Sequence, residues 1–390
     1  MTPFSDPLGG VAPAEWDELT GNLLYSSRQW LTLCAQSGSA AAGAVHGKTA
    51  EGTLAAAPVT WANDELPPFY RWQTELAARG LPAPRETGLL VGARRGHQTH
   101  LLTPSGTDRT DAARTVLEAL TTLEGVAADA PRVAMFLSTD DVLALRAAGV
   151  PTLPVLLRAD AWIPVPEGGW DAWLDSLPSR RRAELVRRET RRFAAAGYEI
   201  TDAPLSDWTT CVGRLLTNTE ARYGHSAEVD GRIAFLRRQA ASMGDAARVL
   251  LCSPPGEPPV GYCLYYLKGN TLFLRSAGFD YGRLRSVAEY FNLVYYLPVR
   301  IAGEAGARWI HAGVEAAEAK ALRGAELRPL WLLDLSRDSR LNGCDADIRA
   351  ANSRQAELIT ASGPAARKAW DLGQRAENGE FGVLPTGSGC

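Results

Sequence analysis

Two apolar stretches, Val260–Lys268 and Thr271–Ala277, flank the pair Gly269-Asn270, and this arrangement constrains the chain more than any other. Both turn residues tolerate positive φ, so the segment reads as an antiparallel hairpin. A hairpin of this kind must be extended and covered. Cover is available in Ser286–Ala305, long enough for a central helix, and further strands in Trp309–Ala312 and near Leu330–Leu335, separated by a helix over Glu315–Arg323. Helices at about 170–175, 178–196, 205–223 and 230–243 and strands at Tyr198–Thr201 and Ala247–Cys252 complete this half.

A rougher version of the same order precedes it. Helical spacing occupies 14–35, strands follow at Ala42–His46, Thr53–Trp61 and Gly88–Gly92, and then come a helix over Asp111–Glu124, a strand at Arg132–Leu137 and a helix over Thr139–Ala148. Two copies of one α/β unit is the economical reading. The strand Val155–Val165 and the residues Pro164, Pro166, Gly168 and Gly169 mark a junction, which gives an N-terminal domain over 1–165 and a C-terminal domain over 166–345. A helical extension over 346–376 and a disordered tail over 377–390 follow.

Composition narrows the class. Of 390 residues 46% are hydrophobic and 22% charged, with a net charge of -3, which excludes disordered, collagenous and disulfide-scaffold chains. The six cysteines form no C-x-x-C pair and share no metal-type spacing with the five histidines, so no metal is expected and a reducing cytoplasm fits. The N-terminus carries no leader pattern, and no apolar run reaches the roughly 18 residues of a membrane span. Nucleophile-elbow, zinc-helix, phosphate-loop and dinucleotide motifs are all missing from the sequence.

Against the slight negative balance, seven arginines fall between Arg180 and Arg192, accompanied only by Glu184 and Glu189. Arg180, Arg187 and Arg191 project together on a helix, as do Arg181, Arg188 and Arg192. One reading is a solvated helix laced by pairs such as Glu184–Arg188. The other is a groove wall for a polyanion, since two acids cannot pair seven guanidiniums. Arg180, Arg181, Arg187, Arg188 and Arg191, joined by Arg275 and Arg323, are the candidate phosphate contacts.

The hairpin and central helix supply candidates for acyl transfer. Arg275-Ser-Ala-Gly278 is similar to the start of the pyrophosphate loop of acetyl-coenzyme-A enzymes, but Asp280 stands where that pattern has a small residue, and a carboxylate repels a pyrophosphate. Tyr262, Tyr265, Asn292 and Tyr295 are candidates for an acyl pocket, although tyrosines at this spacing also suit a core. His311, Glu315 and Lys320 form a polar run after an apolar strand, where α/β folds place ligand groups. With Tyr290 they are the candidate catalytic residues: His311 or Glu315 to take a proton from an attacking amine, and Lys320 or a splayed backbone N–H on the strand after Tyr262 to face the oxyanion.

These residues carry a family resemblance. The stretch from Leu174-Asp-Ser-Leu-Pro-Ser-Arg-Arg-Arg182 to Arg192-Phe-Ala-Ala-Ala-Gly-Tyr198 resembles the basic helix of a GNAT-superfamily branch, the peptidoglycan biosynthesis/recognition proteins related to Fem-like aminoacyltransferases. Glu289-Tyr-Phe-Asn-Leu-Val-Tyr-Tyr296, His311-Ala-Gly-Val-Glu315 and Ala319-Lys-Ala-Leu-Arg-Gly-Ala325 continue it, with Leu24-Tyr-Ser-Ser-Arg-Gln-Trp30 similar to the first half. The resemblance implies an α/β fold of two tandem GNAT-like units, each a mixed, largely antiparallel sheet flanked by helices, and matches Lys320 to a lysine near the acyl-transfer site. It implies an enzyme with no tightly bound cofactor that moves an aminoacyl group from charged tRNA to an amine of a small molecule or peptide, such as a natural-product or wall precursor. Two other readings stay open: an acyl-CoA-dependent N-acyltransferase, and a non-catalytic glycan- or nucleic-acid-binding protein with a degenerate cleft.

Overall fold

A computed structural model of the protein describes residues 4, 6–36, 41–50, 52–62, 66–225 and 228–376. The expected tail at 377–390 lies outside the described residues. Eleven strands are formed among them: β1 (Ala42–Thr49), β2 (Gly52–Ala62), β3 (Gly88–Val91), β4 (Arg132–Leu137), β5 (Val155–Pro164), β6 (Glu199–Pro204), β7 (Ala247–Ser253), β8 (Gly261–Lys268), β9 (Thr271–Phe279), β10 (Trp309–Gly313) and β11 (Glu326–Asp334). The chain divides into two compact units, one of Met1–Asp160 with Leu327–Cys390 and one of Ala161–Glu326. The division falls inside β5.

In the first unit the strand order is β1-β2-β3-β4-β11, followed by β5. From β1 to β11 in this order pairing is antiparallel except between β3 and β4, where Leu90 lies beside Val133. The helix Arg109–Thr121 begins at Asp108, whose carboxylate accepts the N–H groups of Thr110 and Asp111 at 2.8 and 3.0 Å. Residues 327–345, expected in the second domain, belong instead with the first unit, because β11 pairs with β4 and carries the chain back into it. The helices Asp345–Ala361 and Pro364–Ala376 belong there too. A long-range strand return leaves no local trace, so hydrophobic pattern alone could not reveal it.

Asn352 ties the helix Asp345–Ala361 to β5. Its side chain is buried, accepts the Leu156 N–H at 2.7 Å and donates to the Pro154 carbonyl at 2.9 Å. Both backbone groups would otherwise be orphans at a strand start.

In the second unit the order is β10-β9-β8-β7-β6, with the end of β5 antiparallel beside β10. The expected hairpin forms as read: Lys268 pairs with Thr271 across the turn, where Gly269 has φ 55°. One residue is added to β9, since Leu264 pairs with Ser276 and Tyr265 with Leu274, leaving Arg275 as a bulge. Between β9 and β10 the pairing is parallel and ends at Phe273 and His311. Beyond that point β9 continues for six residues while β10 stops at Gly313, whose φ is 74°. The two strands therefore part.

Sequence spacing predicts a central helix over Ser286–Ala305, and the structure modifies it at two places. Ser286 and Ala288 adopt φ of 58° and 65°, so the helix starts only at Glu289. After Glu289–Phe291 comes a π turn over Asn292–Tyr296, in which the Leu297 N–H reaches the Asn292 carbonyl, and then an α-helix over Leu297–Glu304. Pro298 explains the wide turn. It has no N–H for the carbonyl four residues back and its ring crowds that carbonyl.

Replacing Asn352 by alanine should leave the Leu156 N–H and Pro154 carbonyl unsatisfied, at about 1–3 kcal/mol for each group. Chemical denaturation of the variant checks this. A loss under about 0.5 kcal/mol, the size of an ordinary surface change, would mean the bridge carries no stability.

Candidate active site

The parting of β9 and β10 opens a cavity of about 510 Å³ within the second unit. Leu274, Arg275, Ser276 and Ala277 of β9 line it on one side, and Ala312 of β10 with Glu315, Ala316 and Lys320 of the chain after it line the other. The central helix adds Tyr290, Val294 and Tyr295, and the end of the helix Thr209–Arg222 adds Thr219, Arg222 and the following Tyr223.

Not every candidate reaches this space. In β10 Ala312 lines the cavity and His311 does not. The His311 ring is fully buried between Trp162 and Phe273, with centroids 5.0 and 5.4 Å away. In β8 Cys263 lines the cavity, whereas Tyr262 is buried with its hydroxyl 3.2 Å from the Ser276 hydroxyl. The Tyr265 hydroxyl donates to Asp202 at 2.8 Å and accepts from Arg248 at 3.2 Å, near the outer strands. Asn292 is buried and donates to the Ala288 carbonyl at 2.9 Å, bracing the start of the central helix. Of the acyl-pocket candidates, only Tyr295 borders the cavity.

Four candidates do converge. Lys320 is buried and its ammonium donates to the Gly313 carbonyl at 2.9 Å, which holds it at the end of β10. Glu315 is exposed at the cavity wall. Tyr290 and Tyr295 meet edge to face at 6.0 Å, with their hydroxyls in hydrogen-bond contact. Burial raises both phenol pKa values above the ordinary range, so both hydroxyls keep their protons at neutral pH.

Two phosphate candidates separate. Arg275 borders the cavity at the bulge. Arg323 is buried instead, its guanidinium 3.9 Å over the Phe291 ring and 5.3 Å over that of Tyr295, with a bond to the Ala319 carbonyl at 2.8 Å. Its role there is to pin the central helix.

The basic helix spans Arg180–Ala195 and buries Ala183, Val186 and Phe193. Ser179 caps it, accepting the Arg182 N–H at 3.3 Å. Arg180, Arg181, Arg187, Arg188, Arg191 and Arg192 are exposed. Glu184 pairs with Arg180 at 3.4 Å, Arg187 approaches Asp175 at 3.7 Å, and Glu189 turns inward to accept the Tyr296 hydroxyl. Among the described residues no carboxylate lies within ion-pair distance of Arg181, Arg188 or Arg192. The helix end is joined to the central helix: Arg285 donates to the Ala196 carbonyl and lies 5.0 Å over Tyr198, whose ring stacks on Phe193 at 5.4 Å.

Glu289 is the residue that sequence reading undervalued. Only 3% exposed, its carboxylate accepts the N–H of Arg285 at 2.7 Å, the N–H of Val287 at 2.9 Å and the Tyr198 hydroxyl at 3.0 Å. The phenol of Tyr198 is pushed up to about 12, first by burial and then by this carboxylate. Left-handed Ser286 and Ala288 turn the loop amides inward, making a nest of the kind that holds anions. Here the chain's own carboxylate fills it. The motif Arg275-Ser-Ala-Gly278 is correspondingly not a loop but part of β9, and Gly278 is required because a Cβ would lie 2.5 Å from the Leu215 carbonyl oxygen.

No protein-family model matches the sequence, and no curated protein does. Solved structures do share the architecture. FemX aligns with a TM-score of 0.59 at 11% identity, over 84% of this chain and 96% of that one. L-PGS from Bacillus licheniformis aligns with a TM-score of 0.53 at 11% identity, over 90% and 98%. The fold is that of FemX and L-PGS. As expected from the residues, the chain is α/β and divides into two units, each with a mixed, largely antiparallel run of strands flanked by helices. Within this FemX-like fold, among the described residues, no helix is long and apolar enough to cross a membrane, and no group of three or more potential metal ligands is found.

Cys263 gives this cavity a chemical signature. Burial pushes its thiol from 9.0 up to about 12, and each unit of pKa is a factor of ten in thiolate near neutrality. At pH 8 alkylation of Cys263 should run about a thousandfold below that of an ordinary thiol, with the half-buried Cys344 as internal comparator. Mass-spectrometric mapping of the modified cysteines reads this out; equal labelling of both would refute the assigned environment.

Proposed function

We propose that the protein is an aminoacyltransferase that moves an aminoacyl group from charged tRNA to the amine of a small molecule or peptide. The observation that carries this reading is the filled nest at Glu289. A coenzyme-A donor needs backbone N–H groups for its diphosphate, and here two of those groups are bonded to a buried carboxylate that repels a second anion. A polynucleotide donor needs no such cradle. It needs cations spread along a surface, which the exposed side of Arg180–Ala195 offers. Similarity to FemX in fold, together with the Fem-like resemblance of the basic helix, supports the same donor.

The chemistry asked of the cavity is modest. An amine nitrogen attacks the ester carbonyl, the new C–N bond forms as the ribose oxygen leaves, and one proton moves from the amine to that oxygen. Glu315 is the carboxylate positioned to take the proton. Tyr290, held protonated and fixed by Tyr295, donates to the oxyanion, and the Lys320 ammonium adds positive charge beside it. Burial disfavours the Cys263 thiolate, so the step is written as direct transfer to the amine. Because the ester is already activated, positioning supplies much of the rate.

Retention of charged tRNA and of acetyl-coenzyme A by the purified protein, measured across a salt series, tests the donor. Charged tRNA should be retained with a steep salt dependence, and replacing Arg181, Arg188 and Arg192 by alanine should flatten the slope by about 0.7–0.9 for each phosphate that is no longer neutralised. Tight coenzyme-A binding without tRNA retention would overturn the reading. In turnover, Glu315→Gln should lower kcat by about 100-fold or more while leaving tRNA affinity unchanged; an unaltered kcat would remove Glu315 from proton transfer.

A further inference from the structure

The cavity mouth carries aromatic surface that the transfer chemistry does not use. Four large apolar or aromatic side chains are exposed among the described residues, and two of them, Tyr223 at 70% and Tyr290 at 42%, border this one cavity. Exposed rings clustered at a cavity mark a binding surface. Tyr290 already has a role in the chemistry, but Tyr223 has none.

Tyr223 does not stand alone. Thr219, Arg222 and Tyr223, spaced three and four apart, share a face of the chain at the end of the helix Thr209–Arg222, and all three line the cavity. The Arg222 guanidinium lies 4.2 Å over the ring of Tyr281, another lining residue. Thr219 steadies this wall, its hydroxyl accepting the Phe279 N–H at 3.0 Å. A flat guanidinium–phenol stack and a free phenol beside it make a platform for a flat, electron-rich partner.

We propose that Tyr223 and the Arg222–Tyr281 stack hold the 3′-terminal nucleobase of the RNA donor. The proposal rests on the aminoacyl-tRNA reading and adds the place where the donor is gripped. In a charged tRNA the terminal base and the reactive ester sit on the same ribose. A base stacked at the mouth therefore delivers its ester carbonyl into the cavity holding Glu315, Tyr290 and Lys320. Coenzyme A cannot use the platform in this way, because a long flexible arm separates its adenine from the thioester. Stacking tolerates any base, so Tyr223 is a positioning residue and reads no sequence.

Two otherwise identical RNA minihelices test this, one ending in 2-aminopurine and one with the terminal base removed. The protein should quench the 2-aminopurine fluorescence and bind the intact RNA about ten- to a hundredfold more tightly than the abasic one. Tyr223→Ala should bring the intact RNA down to the abasic level and abolish the quench, while Tyr223→Phe, which keeps the ring, should retain both. Equal affinity of the unaltered protein for the two RNAs, or a quench that persists in Tyr223→Ala, would overturn the platform and leave the tRNA donor standing. Failure of both RNAs to bind would overturn the donor reading and the platform with it.

Discussion

The early end of the parallel pairing between β9 and β10 is the constraint on which the second unit depends. Three residue pairs, from Trp309–Thr271 to His311–Phe273, hold the strands together, and then each must satisfy its backbone elsewhere. β9 does so through β8, with the bulge at Arg275 absorbing one residue. The chain after β10 turns at Gly313, and the carbonyl of that residue is taken up by Lys320. A buried ammonium is thus both the plug for a strand end and a cation at the cavity wall. Its substitution would disturb packing and charge together, which is why Lys320 is a poor place to separate structure from chemistry.

A second constraint is set by the central helix. Pro298 forces the wide turn at Asn292–Tyr296, and this turn presents Tyr295 to the cavity while Tyr296 reaches the opposite way to Glu189 of the basic helix. Glu289 fastens the front of the same helix to its own loop and to Tyr198. Arg285 then connects that loop to Ala196, where the basic helix ends. The arginine surface is therefore coupled by direct bonds to the element carrying Tyr290.

Patterning made much of this legible and chemistry less. The hairpin at Gly269-Asn270, the basic helix and the α/β alternation are local signals, since each depends on residues close in sequence. The return of β11 to β4 and the burial of Arg323 are not, because both are decided by partners far away along the chain. His311 shows the difference most clearly. Its place next to a polar run suggested catalysis, yet its ring is fully buried between Trp162 and Phe273, outside the cavity that Ala312 lines. Glu289 shows the reverse: an acid in a run of tyrosines looks ordinary until the loop amides are seen to point at it.

The first unit closes the corresponding edge. There β3 and β4 also pair in parallel, through Val91 and Ala134, and where β3 ends Thr99 takes its place, its N–H donating to the Phe136 carbonyl as it pairs with Leu137. A cluster of rings lies beyond that point. Phe136, with φ of 62°, bulges out of register against β11 and stacks on Phe69 at 5.1 Å, with Tyr70 and His97 edge-on at 5.6 and 6.2 Å. A non-glycine residue in that conformation costs of order 1 kcal/mol or more, and burial of a stacked aromatic offsets it. The edge that a bridging residue and packed rings close in the first unit stands open in the second, where a lysine, a glutamate and two tyrosines line the cavity.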